Sequence, residues 1–264
     1  MRDFWSGSAG RTISLVLVVV ALMALWEAAV RIGDIKAFLL PAPSVVLQSI
    51  AQKPLWYLQH AYQTLVETFL GFAFAVFFGI LIAICIVYSR VLEHSLYTFL
   101  VTMNAVPKIA IAPLFVVWLG TGLEPKVAVA ALVAIFPIVI DTVQGLRSVE
   151  PAMLDLARSL RGSPLKVLWK IRAPCALPSV FAGLKVGISL AFIGAIVGEF
   201  ISSQGGLGYV VVTSQSNFET AQMFAAILIL ALLSLLLFNL IELSEHLLLP
   251  WHVSRRRDRR PAGR

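Results

Sequence analysis

Residues 64–88, TLVETFLGFAFAVFFGILIAICIVY, hold one charged side chain, Glu67, in twenty-five positions. A helix needs ~20 mostly apolar residues to cross the hydrocarbon core of a bilayer. This stretch exceeds that length, so it predicts a transmembrane helix. The same reading, carried outward, marks further apolar runs at 13–30, 96–119, 127–143, 179–201 and 221–243. The expected fold is therefore an all-α integral membrane protein with about six transmembrane helices. Whole-chain composition agrees: 59% of the 264 residues are hydrophobic and 13% charged. A soluble domain has about 25% charged residues.

Run 13–30 has a basic start, Arg2 and Arg11, as a signal peptide would. Trp26, Glu27 and Arg31 follow it without a small-residue cleavage site, so a retained span is expected. Charge then orients the chain. With the N-terminus inside, six spans return the C-terminus inside. Arg90, the long segment with Arg147, Arg158, Arg161, Lys166, Lys170 and Arg172, and the tail with Arg255, Arg256, Arg257, Arg259, Arg260 and Arg264 then all lie inside. The outside loops hold Arg31, Lys36, Lys53 and Lys126. This asymmetry predicts an N-in, C-in topology, with loop charges rather than nucleic acid accounting for the net +7. Three units follow: 1–57 with the first helix, 58–243 as the main transmembrane domain, and 244–264 as a basic cytoplasmic tail.

Small residues recur every fourth position at Gly71, Ala75, Gly79 and Ala83, and again at Gly183, Gly187, Ala191 and Ala195. Such rows let helices approach closely in lipid. They serve either packing within one subunit or the flank of a moving pathway, and spacing does not choose. Polar residues inside spans are costly and often functional. Glu67, Asp141 and Lys185 lie near span ends, where side chains snorkel. Asn104, Pro107 and Lys108 sit where proline frees backbone carbonyls, and Glu199 precedes the glycine-rich 205–208. These four are the candidate lining of a translocation path. No metal site is expected: Cys85 and Cys175 stand apart, and His60, His94, His246 and His252 show no ligand spacing. No paired catalytic set appears, so an enzyme is not expected.

Segment 150–178 is too charged to span a membrane. Met153, Ala157 and Leu160 share a helical face. Arg161-Gly162 predicts a break, with Gly162 as the C-terminal cap. Ser163-Pro164 predicts a restart as cap and first residue, and Pro174 predicts its end. The result is a cytoplasmic elbow of two short helices, whose exposed apolar face needs a partner groove or lipid.

The residues 155–163, DLARSLRGS, and 171–174, IRAP, resemble the EAA loop of bacterial ABC-importer permeases. That motif reads Glu-Ala-Ala, three residues, Gly, nine residues, Ile-x-Leu-Pro. Asp155, Ala157, Ile171 and Pro174 fall in register; Leu156, Arg161 and Ala173 depart from it, and Gly162 comes one place late. LPAPSV at 40–45, AVPKIAIAPLFVVWLG at 105–120 and GLGY at 206–209 are similar to permeases of the nitrate, sulfonate and taurine type. The resemblance implies a homodimer around a central path in the bacterial inner membrane. It implies a separate ATP-binding cassette subunit that docks on the elbow at Asp155, Ala157, Arg158, Ser159, Leu160, Arg161, Gly162 and Lys166. It also implies an extracytoplasmic solute-binding protein. The chain has no G-x-x-x-x-G-K-[ST] loop, so ATP is expected on the partner and no cofactor on this chain. The expected solute is a small anion such as nitrate, a sulfonate or taurine. A thiamine precursor or an aromatic carboxylate is the alternative, and an ion-coupled secondary transporter is the rival mechanism.

Overall fold

The computed structural model describes residues 8–103, 106–202 and 204–249, and these are helical throughout their main elements. In chain order the helices are α1 (Ser8–Ile32), α2 (Pro43–Gln52), α3 (Pro54–Tyr88) and the short α4 (Arg90–Leu92), which leads through a π turn into α5 (Thr98–Met103). A 3₁₀ turn at Lys108–Ile111 opens α6 (Ala112–Leu119). There follow α7 (Glu124–Arg147), α8 (Pro151–Ser159), α9 (Pro164–Val167), a π turn at Leu168–Arg172, α10 (Ala173–Ser202), α11 (Leu207–Ser216) and α12 (Thr220–Leu248).

Among the described residues, four helical stretches are long and apolar enough to cross a membrane: α3, α7, the run Pro164–Ser202, and α12. The expected third span differs. It is a broken pair, Ser95–Met103 and Lys108–Leu119, bent by 88°. Pro107 sits at the break, where it lacks an N–H for the helix ladder. Counted as one crossing, the pair makes five. α3 begins ten residues before the apolar run that announced it, with Pro54 as its first residue. The boundary expected between 57 and 58 therefore falls inside a helix.

Helix α7 lies between α3 and α10, and the small-residue rows explain how. Gly71 faces Ala130, Gly79 faces Ile138, Gly187 faces Ile138 and Gly194 faces Ala130. A methyl group placed on Gly194 would sit 2.7 Å from the Ala130 Cα. Ala75, Ala130, Ala134, Ile138, Ala191 and Ala195 are all fully buried in this seam. Of the two readings of the rows, packing within one subunit is what these residues do. A second core joins α10, α11 and α12 through Ile188, Phe192, Leu207 and Leu237. Glu27 fastens α1 to the start of α2: it accepts from the Ser44 N–H at 3.0 Å and the Ser44 hydroxyl at 2.8 Å, and pairs with Arg31 at 2.6 Å.

Candidate functional site

The elbow residues lie at the end of the bundle where α3 and α7 finish and α10 begins. Helix α8 ends with Leu160 as cap, and the chain turns at Arg161, whose φ is +51°. The Arg161 N–H donates to the Arg158 carbonyl at 2.9 Å, and the Gly162 N–H to the Ala157 carbonyl at 2.9 Å. This pair of bonds is the Schellman arrangement. The left-handed position is thus Arg161, not Gly162 as expected. It coincides with the position where the EAA motif carries glycine, so an L-residue here holds the glycine's backbone conformation. Ser163 caps the next helix as predicted, accepting from the Lys166 N–H at 3.4 Å, with Pro164 first.

Pro174 does not end that helix. Pro164–Ser202 runs as one helical stretch of 39 residues. The π turn at Leu168–Arg172 widens the backbone just ahead of Pro174, where its ring would otherwise press on the preceding turn. Bonds from the bundle hold the elbow. The Tyr88 hydroxyl donates to the Pro164 carbonyl at 3.0 Å, and the Arg172 guanidinium to the Leu146 carbonyl at 2.8 Å. Leu168 packs with Leu146 and Ala176 beneath.

Above this anchorage the apolar side chains are bare. Leu160 is 75% exposed, Trp169 66% and Leu165 65%. Met153, Leu156 and Leu160 rim a hollow of about 250 Å³ floored by Ala157 and Val167. Ala157 itself is buried, while Asp155, Arg158, Ser159, Arg161, Gly162 and Lys166 are exposed. Asp155 and Arg158 pair with each other at 3.0 Å. The arrangement is a small apolar surface ringed by charge, which is the make-up of an interface core and rim.

The candidate path residues separate. Asn104 lies outside the described residues, as does the basic tail from position 250. Pro107 is exposed at the break, and the Lys108 ammonium sits 4.4 Å from the centre of the Phe136 ring. Glu199 is elsewhere, 1% exposed at the opposite end of the bundle. Its carboxylate accepts from the Thr64 hydroxyl at 2.7 Å and from the Gly208 N–H at 2.6 Å. The Leu207 N–H donates to Thr64 Oγ1 at 2.9 Å, and the Gly206 N–H to His60 Nδ1 at 3.0 Å. Together these satisfy the first amides of α11, which a helix leaves without partners. In this structure Glu199 is a buried clamp on α11 and faces no open path.

Sequence reasoning missed the rest of this cluster. Glu67 does not snorkel: it is fully buried and ion-paired to Lys126, which is 3% exposed rather than in an outside loop. The backbone and aliphatic stem of Lys126 pack against Gly198, where a methyl group would sit 2.9 Å from the Lys126 Cα. Lys185 likewise pairs with Glu245 at 2.5 Å, joining α10 to α12. A sequence signal existed for each: a lone charge inside an apolar run needs an opposite charge nearby.

Comparison with known proteins agrees with this geometry. The profile of the family described as binding-protein-dependent transport system inner membrane component matches residues 75–249. A probable ABC transporter permease protein of Haemophilus influenzae is 36% identical, over 89% of this chain and 96% of its own length. The riboflavin transport system permease protein RibX of Chloroflexus aurantiacus is 35% identical over 92% of this chain and 91% of its own. The formylaminopyrimidine transport permease protein ThiX of Halalkalibacterium halodurans is 35% identical over 89% and 94%. More distant relatives include the taurine transport system permease protein TauC of Escherichia coli, 28% identical over 94% and 93%, and aliphatic sulfonate permeases. The fold resembles that of the MetNI methionine ABC transporter in an inward-facing conformation, with a TM-score of 0.63 and 18% identity over 72% of this chain and 95% of that one. The chain belongs to the family of binding-protein-dependent transport system inner membrane components, the ABC-importer permeases, and is a multi-pass inner-membrane protein.

Proposed function

We propose that this chain lines the translocation path of an ATP-driven importer as a homodimer, and that its elbow receives the stroke of a separate ATP-binding cassette subunit. The bare apolar surface of Leu160, Leu165 and Trp169, set on a firmly bonded base, carries this reading. Such a surface costs free energy in water and is covered in a working assembly. Asp155, Ala157, Arg158, Ser159, Arg161, Gly162 and Lys166 surround it. The topology is six spans, N-in and C-in, with α1 as the first and the broken α5–α6 pair as the third. The units are 1–57, 58–243 and 244–264 as marks along the chain, with α3 running across the first boundary and α12 across the second. ATP and its chemistry belong to the partner, and a solute-binding protein outside delivers the cargo.

The broken span with Pro107 and Lys108 borders the path, and Asn104 belongs to the same stretch. Glu199 acts on the path indirectly, through α11. The rival ion-coupled mechanism loses its motive, because Glu67, Lys126, Lys185 and Glu245 are spent on each other. For the solute, two relatives at 35% identity are named for flat nitrogen heterocycles, which favours that class. Lys108 favours a second reading, a sulfonate or taurine.

Reconstitution of the chain in vesicles with its ATPase and binding protein tests the proposal. Uptake of labelled solute is expected only with ATP. Uptake by this chain alone under a proton or sodium gradient would overturn it. Parallel assays with riboflavin, a formylaminopyrimidine and taurine rank the solutes.

A further inference from the structure

A cavity of about 610 Å³ opens between the start of α3, helix α11 and the turn into α12, at the end of the bundle away from the elbow. Its size falls in the range of ~300–1,000 Å³ usual for small-molecule sites. Trp56, His60 and Tyr209 form a continuous aromatic wall. Trp56 meets His60 edge-on at 4.6 Å and 76°, and His60 and Tyr209 lie 6.2 Å apart at 32°. The wall is held in place from behind. His60 Nδ1 accepts from the Gly206 N–H, so the neutral ring carries its proton on Nε2. Tyr209 follows Gly208, whose N–H is bonded to Glu199. Asn217 and Gln222 add amides, each with a donor and an acceptor.

The charges at the cavity are one of each sign. Lys53 stands 5.8 Å from the Trp56 ring centre, and Glu219 is also in the lining. An anion entering here gains Lys53 and meets Glu219, so the site gives it no net attraction. A neutral flat ring gains stacking on the wall and finds both donors and acceptors in the amides. From this we infer that the cavity is a solute subsite on the permease itself, selecting neutral aromatic heterocycles that carry both hydrogen-bond donors and acceptors. This rests on the permease reading and deepens it, since selection then does not belong to the binding protein alone.

The test uses the full chain bound to its ATPase in nanodiscs, without the binding protein. Riboflavin is titrated and its fluorescence followed, and a formylaminopyrimidine and taurine are offered as competitors. Saturable quenching is expected, displaced by the pyrimidine and untouched by taurine. Trp56→Ala is expected to weaken riboflavin binding about tenfold or more, one stacking partner being lost. Gln222→Ala, which removes one hydrogen-bonding amide, is expected to weaken it about threefold. Monodisperse complexes with bound ATPase show that each variant is folded. Flat titrations, displacement by taurine, or unchanged binding in both variants would overturn the subsite. If the titrations are flat while ATP-driven riboflavin uptake persists in the full system, the permease reading stands and the subsite alone fails. If the ATPase does not assemble with the chain, the permease reading fails instead.

Discussion

At the elbow end Asp155, Arg158, Arg161 and Lys166 lie on the surface beside bare Leu160 and Trp169, whereas at the far end Glu67, Lys126 and Glu199 are closed inside the protein. The far end finds its partners within this chain. Its carboxylates meet an ammonium, a hydroxyl and a backbone amide, and a buried charge is tolerable only when so matched. The elbow end is incomplete. Its polar groups need nothing, and its apolar groups have no cover. One end therefore stabilises the fold and the other offers a contact.

That contrast can be broken most sharply at Lys126. Lys126→Met leaves Glu67 buried without its ammonium, and a loss of about 3–5 kcal/mol is expected, read as a fall in unfolding temperature of the purified protein. Adding Glu67→Gln should restore much of it. If Lys126→Met alone is harmless, the cluster is not what holds α3, α7 and α10 together. Gly194→Ala comes next. Its methyl would press on the Ala130 backbone across the α7–α10 seam, and about 1–3 kcal/mol is expected to go in the same assay.

Changes at the elbow should be gentle to the fold. Arg161→Gly is expected to raise stability by about 1 kcal/mol, because glycine takes the left-handed turn without strain. A lowered unfolding temperature would mean the arginine side chain repays the cost of its conformation. Leu160→Glu should move stability by no more than about 0.5 kcal/mol, its side chain being surface-exposed. Yet ATP hydrolysis should no longer drive uptake. Ala157→Glu would be a poorer probe of coupling, since Ala157 is buried and the change also disturbs packing. Normal transport by Leu160→Glu would sink the docking role of the elbow.

Much of this contrast was readable from the chain alone. Apolar length announced the long helices, because backbone in lipid must bond within itself. Ser163-Pro164 announced the restart of the elbow helix, because capping is local. Pro107 announced a break, though not its 88° bend. What stayed hidden depends on distance along the chain. Glu67 and Lys126 are 59 residues apart, and no local rule pairs them. Nor did spacing choose between the two uses of the glycine rows, since that depends on which helix lies opposite. The turn at Arg161 is a middle case. Local composition pointed to Gly162, while the register of the EAA motif pointed one place earlier, and the backbone follows the motif.

The π turn just ahead of Pro174 has a mechanical consequence. Without it the chain would bend between elbow and membrane, and the bend would act as a joint. With it, Pro164–Ser202 forms a single connecting rod, 39 residues or about 58 Å long. Its irregular turns lie in the stretch nearest the elbow, and no proline interrupts it from Ser179 onward. On the proposed docking, a thrust applied at Lys166 would be carried along this rod to the tip that holds Glu199, which is bonded to the start of α11.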